Sequence, residues 1–493
     1  MSSGQFFGID FGTTNTAVVR IQEESFARQV TILGEEGLYP FSSIVAIPKE
    51  GGNCLFGREV RRRRLELSAT HEIYTSMKPF LGRKEADGTP FSLLVGGERY
   101  YPKDIVVAFF RHIQEQLRQA PGVDITAASF TYPCNFTPAA RGELLAAAAE
   151  AGIKVEAFLS EPSAAYLANY HLGKAYSRVM VLDWGGGTLD ISILQLTGSS
   201  LQEIEVEGES FGGDDIDLEI AQRLHARIVK ASGVVGAAFH DMDLKDRDAL
   251  IAGSEAGKIE LAHTDEYPLR VRNYGMYGNQ FVYLSSQELD SMVEPLLRDR
   301  VLKTIAGAME KAGLTSPESI DCLIITGGSS NLRCYERAIT ELFAHCQIIV
   351  PSHVQWSTAT GAALMQIMGS KIRLNDTISL LLSDGSYFPV LPQGMAVGEA
   401  TPPYTFSLME DALDAHFIFS NQNGDLYQRV AVPTKGFLRE NLVLQGSIDE
   451  DQVARFQIRN HSFGSDPLAV TQVALHRLPF YYDISVLQEK MWK

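Results

Sequence analysis

Cysteine is scarce in this 493-residue chain and shows no pairing pattern. Cys54, Cys134, Cys322, Cys334 and Cys346 are odd in number, scattered and without a CxxC spacing. That argues against a disulfide scaffold or a cysteine-held metal, and it fits a reducing cytosol. No HExxH occurs, which removes the common zinc-peptidase plan, and no GxxxxGK[ST] occurs, which disfavours a P-loop. No apolar run reaches the length of a membrane span. The opening MSSGQFFGID has neither a basic stretch nor a long apolar stretch, so no signal peptide is expected. Basic residues are outnumbered, 43 Lys and Arg against 60 Asp and Glu, for a net charge of −17. A nucleic-acid partner is therefore not expected. The one basic run, Arg61 to Arg64, is flanked by Glu59 and Glu66 and reads as a solvated helix face with i,i+4 pairs.

What the chain does have is alternation. QFFGID and TAVVRI read as strands, KDIVVAFFRHIQEQL as an amphipathic helix, ITAASFTY as a strand and TPAARGELLAAAAEAG as a helix. Such alternation implies an α/β fold. Helical patterns fill most of 214–262 and 286–312, and STATGAALMQIM closes this part near residue 368. The texture then changes to short strand-like runs separated by turns such as Asp384-Gly385 and Asn423-Gly424. The division expected is 1–370 for an α/β part, 371–376 for a short linker, 377–480 for an all-β sandwich and 481–493 for a short tail.

Two stretches share one plan. GIDFGTTNTAVV (8–19) and VLDWGGGTLDISIL (181–194) each run strand, aspartate, glycine-rich turn, threonine, strand. This echo implies two similar lobes facing one cleft. Glycine allows close backbone approach to a ligand, and successive turn N–H groups form an anion site. Thr13, Thr14 and Thr188 add hydroxyl donors. Asp10 and Asp183 would repel a bare phosphate, so they imply an intervening cation, and Mg²⁺ suits one or two carboxylates plus phosphate. A third strand-to-glycine turn, Ile325-Thr326-Gly327-Gly328, supports a polyphosphate clamp over a pair of ordinary tight turns.

Together these residues resemble the 70-kDa heat-shock chaperones of the actin-like ATPase superfamily. GIDFGTTNTAVV and VLDWGGGTLDISIL resemble its two phosphate loops, LSEPSAAYLANY its connecting segment, and SFGGDDIDLEI and LIITGGSSNL two further stretches. The resemblance covers about 5–368 well and 376–480 loosely. It implies an ATPase domain of two similar lobes around a nucleotide cleft, followed by a smaller β-sandwich resembling a peptide-binding domain. The resemblance assigns roles by position. Asp10, Gly12, Thr13, Thr14 and Asn15 would meet phosphates and the metal's water shell, and Lys78 would be the catalytic lysine. Glu161 and Asp183, with Asp10, would hold Mg²⁺ mostly through water. Thr188 would face the γ-phosphate and Asp190 would support the attacking water. Gly185, Gly186, Gly187, Gly212, Gly213, Gly327, Gly328 and Ser329 would bring backbone against the nucleotide. Glu255 and Lys258 would contact ribose and adenine. Pro133 and Arg141 would relay nucleotide state between domains.

The same resemblance implies ATP and ADP as ligands, slow ATP hydrolysis, a cytoplasmic location, and a client protein or extended peptide bound through 377–480. Co-chaperones or a nucleotide exchange factor would be further partners; no membrane partner is implied. The sequence departs from the pattern at three cleft positions. Asn331 stands where an arginine is usual, Ala262 replaces a common serine, and Gln355 falls where an acid is expected. The linker GSKIRLND has only Ile372 and Leu374 apolar before Asp376, and 481–493 is too short for a helical lid. A lidless sandwich should exchange peptide quickly. A non-hydrolysing, ATP-gated scaffold on the same fold is the alternative, with a metabolite kinase and an actin-like filament former behind it.

Overall fold

The structure, a computed structural model, describes residues 4–24, 27–37, 39–120, 122–233, 236, 238–351, 353–369, 371–421, 423–437, 439–476, 478–485 and 487. The chain forms two compact units, the first from 1–195 and 204–367, the second from 196–203 and 368–493.

The first unit is built twice on one topology. In its first sheet β1 (Gly4–Phe11) pairs antiparallel with β2 (Asn15–Glu24), and β2 with β3 (Ala27–Leu33). On the other side β1 lies parallel to β4 (Ala127–Tyr132), and β4 to β5 (Lys154–Ser160). The second sheet repeats this. Here β6 (Arg178–Trp184) pairs antiparallel with β7 (Leu189–Thr197) and parallel with β8 (Cys322–Thr326), which lies parallel to β9 (Gln347–Ile349). The echo between 8–19 and 181–194 is thus the central hairpin of each sheet. Val179 to Leu182 are all fully buried, as expected for a strand covered on both faces.

The helices that cover these sheets follow from local pattern. Helix α1 (Pro102–Arg118) starts with proline at its first position, where no N–H is needed, and buries Ile105, Val106, Phe109, Phe110, Ile113 and Leu117 on one stripe. Helix α2 (Glu161–Ala168) is capped by Ser160, whose hydroxyl accepts the Ser163 N–H. Helix α3 (Val354–Met368) uses small residues to approach its neighbours. A Cβ on Gly8 would stand 1.9 Å from the Ala359 carbonyl oxygen, and one on Gly361 would stand 1.8 Å from that of Ala164. Helix α3 therefore sits backbone-close to both β1 and α2.

The second unit is a two-sheet sandwich. One sheet has the order Tyr387–Leu391, Ile378–Leu381, Asp414–Ser420, Leu426–Pro433; the other Tyr404–Ser407, Asn441–Ile448, Ala454–Asn460, Val470–Leu475. Alternation in Asn441–Ile448 sends Leu442, Leu444 and Ile448 inward. Phe419 and Phe456 meet across the core with ring centroids 4.5 Å apart. Two further strands join this unit. Ile372–Leu374, inside the expected linker, is a strand, and it pairs antiparallel with Phe480–Asp483, which runs across the expected boundary at residue 480. Of the expected tail, residues 486 and 488–493 lie outside the described residues.

Candidate functional site

The two hairpins open onto one cavity of about 310 Å³ in the first unit. Asp10 sits one residue before the end of β1 and pairs with Ala17, and Asp183 sits at the matching place on β6 and pairs with Asp190. The cavity is lined by Asp10, Gly12, Thr13, Thr14, Asn15, Lys78, Glu161, Asp183, Gly185, Gly186, Gly187 and Thr188. Gly213, Glu255, Lys258, Gly327, Gly328 and Ser329 line it as well, with the departures Ala262, Asn331 and Gln355. Of the expected site residues, Asp190, Gly212, Pro133 and Arg141 stand behind this lining rather than in it.

Glycine here is a steric requirement. A Cβ on Gly186 would stand 2.0 Å from Thr14 Oγ1, and one on Gly212 would stand 2.4 Å from the Gly186 carbonyl oxygen. Gly327, at φ +85°, would place a Cβ 2.6 Å from Asp183 Oδ1. The turns are locked to one another: the Ser329 hydroxyl donates to the Gly185 carbonyl at 2.7 Å, and the Asp214 N–H donates to the Gly186 carbonyl at 2.7 Å. Across from them, the Ser43 hydroxyl donates to the Gly12 carbonyl at 2.7 Å. Thr14 Oγ1 is buried with no hydrogen-bond partner among the described residues. A buried hydroxyl of that kind calls for a partner from outside the protein, a water or a ligand oxygen.

At the closed end the Lys78 ammonium donates to Glu161 Oε1 at 2.7 Å, and both residues are buried. Asp10 accepts from the Thr131 hydroxyl at 2.8 Å. Asp190 accepts from the Cys134 N–H at 2.7 Å. Burial, reinforced by Glu161, pushes the Asp10 and Asp190 carboxyls up to about 7. Burial and the neighbouring Glu161, Asp190 and Asp10 also hold the Asp183 carboxyl well above the usual carboxylate range. Burial disfavours the charged form of Lys78, but Glu161 and Asp10 outweigh it and hold the ammonium above its usual value. One lysine thus stands among four acids. That hard-oxygen set fits a divalent cation such as Mg²⁺. Among the described residues no three acids converge as a direct ligand set, so the fit is through water and phosphate oxygens.

The sign of the pH dependence follows. Each raised aspartate binds its proton more tightly folded than unfolded, so folding is favoured below the ordinary carboxyl value near 4 and loses that contribution as pH rises through about 7. Protein free of nucleotide and metal is expected to melt several degrees lower at pH 8 than at pH 5.5. Asp10→Asn should flatten that slope, as should the nucleotide and cation expected in the cleft. Calorimetric melting in EDTA against loaded protein checks it; an equal slope in the variant would contradict the assignment.

The end expected to hold the nucleoside is different in character. Lys258 Nζ donates to the Gly213 carbonyl and to Asp217 Oδ2, each at 2.8 Å. Burial lifts Asp217 to about 7 in spite of that lysine. The Asn331 amide donates to the Gly328 carbonyl at 3.0 Å. Ile259, Leu332 and Val354 add an apolar lining that sequence reasoning did not single out. The basic run behaves only partly as expected. Arg63 makes the local pairs, with Glu59 and Glu66. Arg61 instead reaches Glu255 at 3.2 Å, and Arg64 grips Asp248 with two bonds of 3.1 and 3.0 Å. These pin the segment 57–67 to the helix Leu244–Leu261, which carries Glu255 and Lys258. Arg64→Met is expected to speed nucleotide dissociation several-fold. In a double-mutant cycle with Asp248→Asn the coupling should be about 1–2 kcal/mol. Stopped-flow release of a fluorescent nucleotide tests this; additive effects would contradict a latch.

Pro133 and Arg141 flank the cleft rather than enter it. The Arg141 guanidinium lies over the Tyr132 ring at 5.2 Å. Pro133 is joined to the cleft through its neighbour, because the Cys134 N–H is the donor to Asp190. A backbone donor carries no side-chain signature, so no sequence pattern could have announced it.

The chain matches the family described as Hsp70 protein over residues 6–383. It is similar to the chaperone protein DnaK of Thermosipho melanesiensis, 29% identical over 411 residues covering 79% of this chain and 65% of that protein. It is also similar to the chaperone protein DnaK of Thermus thermophilus, 30% identical over 362 residues covering 68% and 56%. A third relative, chaperone protein DnaK 3 of a Synechococcus strain, is 27% identical over 423 residues covering 77% and 61%. The chain thus spans less than two-thirds of the length of these relatives.

Proposed function

This chain belongs to the Hsp70 family, and from that premise we propose that it binds ATP with Mg²⁺ between the two glycine hairpins, hydrolyses it slowly to ADP and phosphate, and works as a molecular chaperone whose β unit grips protein or peptide according to nucleotide state. The observation that carries this reading is the buried Lys78–Glu161 pair at 2.7 Å, which lines the cleft with Asp10, Asp183 and the glycine turns, with Asp190 behind that lining.

In this reading the glycine turns and Thr13, Thr14 and Thr188 hold the phosphate oxygens. Asp10, Asp183 and Glu161 hold the water shell of the cation, which when bound neutralises charge on the β- and γ-phosphates. Water attacks the γ-phosphorus, its oxygen forming the new bond while the bond to the β–γ bridging oxygen breaks. Asp190 orients that water and draws its proton. Lys78 stabilises the negative charge on the transferred group, an interaction that gains strength in a dry site. Asp190 also accepts the Cys134 N–H, so a change at the γ-phosphate has a hydrogen-bonded route to the Pro133 loop, where the Tyr132 ring carries the Arg141 guanidinium. The partners proposed are a client or extended peptide on the β unit, with co-chaperones or an exchange factor.

The test is paired. ATP binding is titrated with and without Mg²⁺, and the affinity for a fluorescent apolar peptide is measured with ADP and with ATP. The reading expects Mg²⁺-dependent ATP binding and a peptide affinity that differs several-fold between nucleotides; equal peptide affinities in both states would overturn the chaperone part. A second reading, an ATP-gated scaffold without turnover, is favoured by the nucleoside end, where Asn331 and Lys258 are already engaged by the protein.

A further inference from the structure

The segment expected to be a linker, Ile372–Leu374, has both of its edges occupied within the second unit. On one side it pairs antiparallel with Phe480–Asp483, Ile372 opposite Tyr482 and Leu374 opposite Phe480. That side is closed at its ends as well: the Asn375 N–H donates to the Pro479 carbonyl at 2.8 Å, and the Asp483 N–H to the Lys371 carbonyl at 3.3 Å. On the other side the Leu374 N–H donates to the Met395 carbonyl at 2.8 Å, the Gly394 N–H to the Leu374 carbonyl at 2.8 Å, and the Val397 N–H to the Ile372 carbonyl at 2.9 Å. Leu374 is fully buried. A strand with both edges paired has no free N–H or carbonyl row to offer another partner.

The segment that closes it is itself anchored. Ser200–Gln202, also of the second unit, pair antiparallel with Tyr481–Asp483, and the Ile484 N–H donates to the Ser199 carbonyl at 2.8 Å. Ile484 and Leu487 are fully buried and Tyr482 nearly so. We propose that residues 479–485, together with Leu487, form a strap that shuts one edge of the linker, so that 371–375 is released only when the strap detaches. Detaching the strap breaks its ladders with Ile372–Leu374 and with Ser200–Gln202 and exposes Tyr482, Ile484 and Leu487 to water in the same event, which frees the strap-facing edge of the linker. Hydrogen bonding and apolar burial then make the opening cooperative. This concerns the second unit alone and does not depend on whether ATP is hydrolysed.

Native-state hydrogen exchange of the full chain tests it. Expected are equal protection and equal denaturant dependence for the linker amides that face the strap, Asn375 among them, and for those of 480–484, the signature of one opening unit. Ile484→Asp should raise exchange at these linker amides by at least about tenfold, with 181–194 unchanged, and should open Lys371 and Arg373 to trypsin. Tyr482→Pro, which removes a ladder N–H from an interior strand, should do the same. A linker that exchanges faster than the strap in the unaltered chain would overturn the proposal. So would a linker still protected in Ile484→Asp when 480–484 is fully exchanged. The comparison in the unaltered chain decides the matter even where a variant does not fold.

Discussion

Replacing Lys78 by alanine is expected to lower single-turnover ATP hydrolysis by about two to three orders of magnitude, with ATP still bound. The ammonium stands among the acids Asp10, Glu161, Asp183 and Asp190 and is held charged by them. Its loss removes charge stabilisation where the γ-phosphate would sit. It also leaves Glu161 buried without its partner at 2.7 Å, and breaking a buried pair from one side costs about 3–5 kcal/mol. The variant should therefore melt earlier as well as hydrolyse slowly. The two effects separate in Lys78→Ala/Glu161→Gln, which removes the orphaned charge: stability should largely return, and hydrolysis should not. A rate that recovers together with stability would mean that Lys78 serves only the fold.

A second large effect on stability is expected at Gly361. An alanine there puts its Cβ 1.8 Å from the Ala164 carbonyl oxygen, a clash of side chain with backbone that no rotamer relieves. The helix Val354–Met368 would have to lift from the helix Glu161–Ala168, whose first residue is the partner of Lys78. Overpacking of this kind costs about 3 kcal/mol or more. Gly142, in the helix Pro138–Glu150, is the control, since nothing lies within 4 Å of a Cβ built on it. There alanine should stabilise by about 0.5–1 kcal/mol through helix propensity. Urea unfolding with unchanged slope reads both. Opposite signs at two helical glycines would show that close approach, not helix propensity, governs Gly361.

The hairpins were legible because their chemistry is local. Asp10 and Asp183, the glycines between the paired strands and the following threonines lie within one turn of chain, and the repeated plan announced the duplicated lobes. The ion pairs of Arg61 with Glu255 and of Arg64 with Asp248 were not legible, because their partners lie 194 and 184 residues away. Local acids at Glu59 and Glu66 offered a sufficient explanation for the whole run, and only Arg63 uses them. The strand at Ile372–Leu374 was hidden for a related reason. Three residues carry little periodicity, and their pairing with Phe480–Asp483 is a long-range property. The backbone N–H of Cys134 left no trace at all, although it is the donor that links Asp190 to the Pro133 loop.

The central claim is that this cleft performs chemistry on the nucleotide it binds. Its most direct test is a single-turnover experiment with the full chain in excess over ATP, with Mg²⁺ present and with the metal chelated. The account predicts that bound ATP converts to ADP and phosphate in a single slow phase, that chelation suppresses it, and that Thr188→Ala binds ATP but leaves it intact. Recovery of bound ATP unchanged from the unaltered protein in the presence of Mg²⁺ would contradict it and establish the ATP-gated scaffold instead.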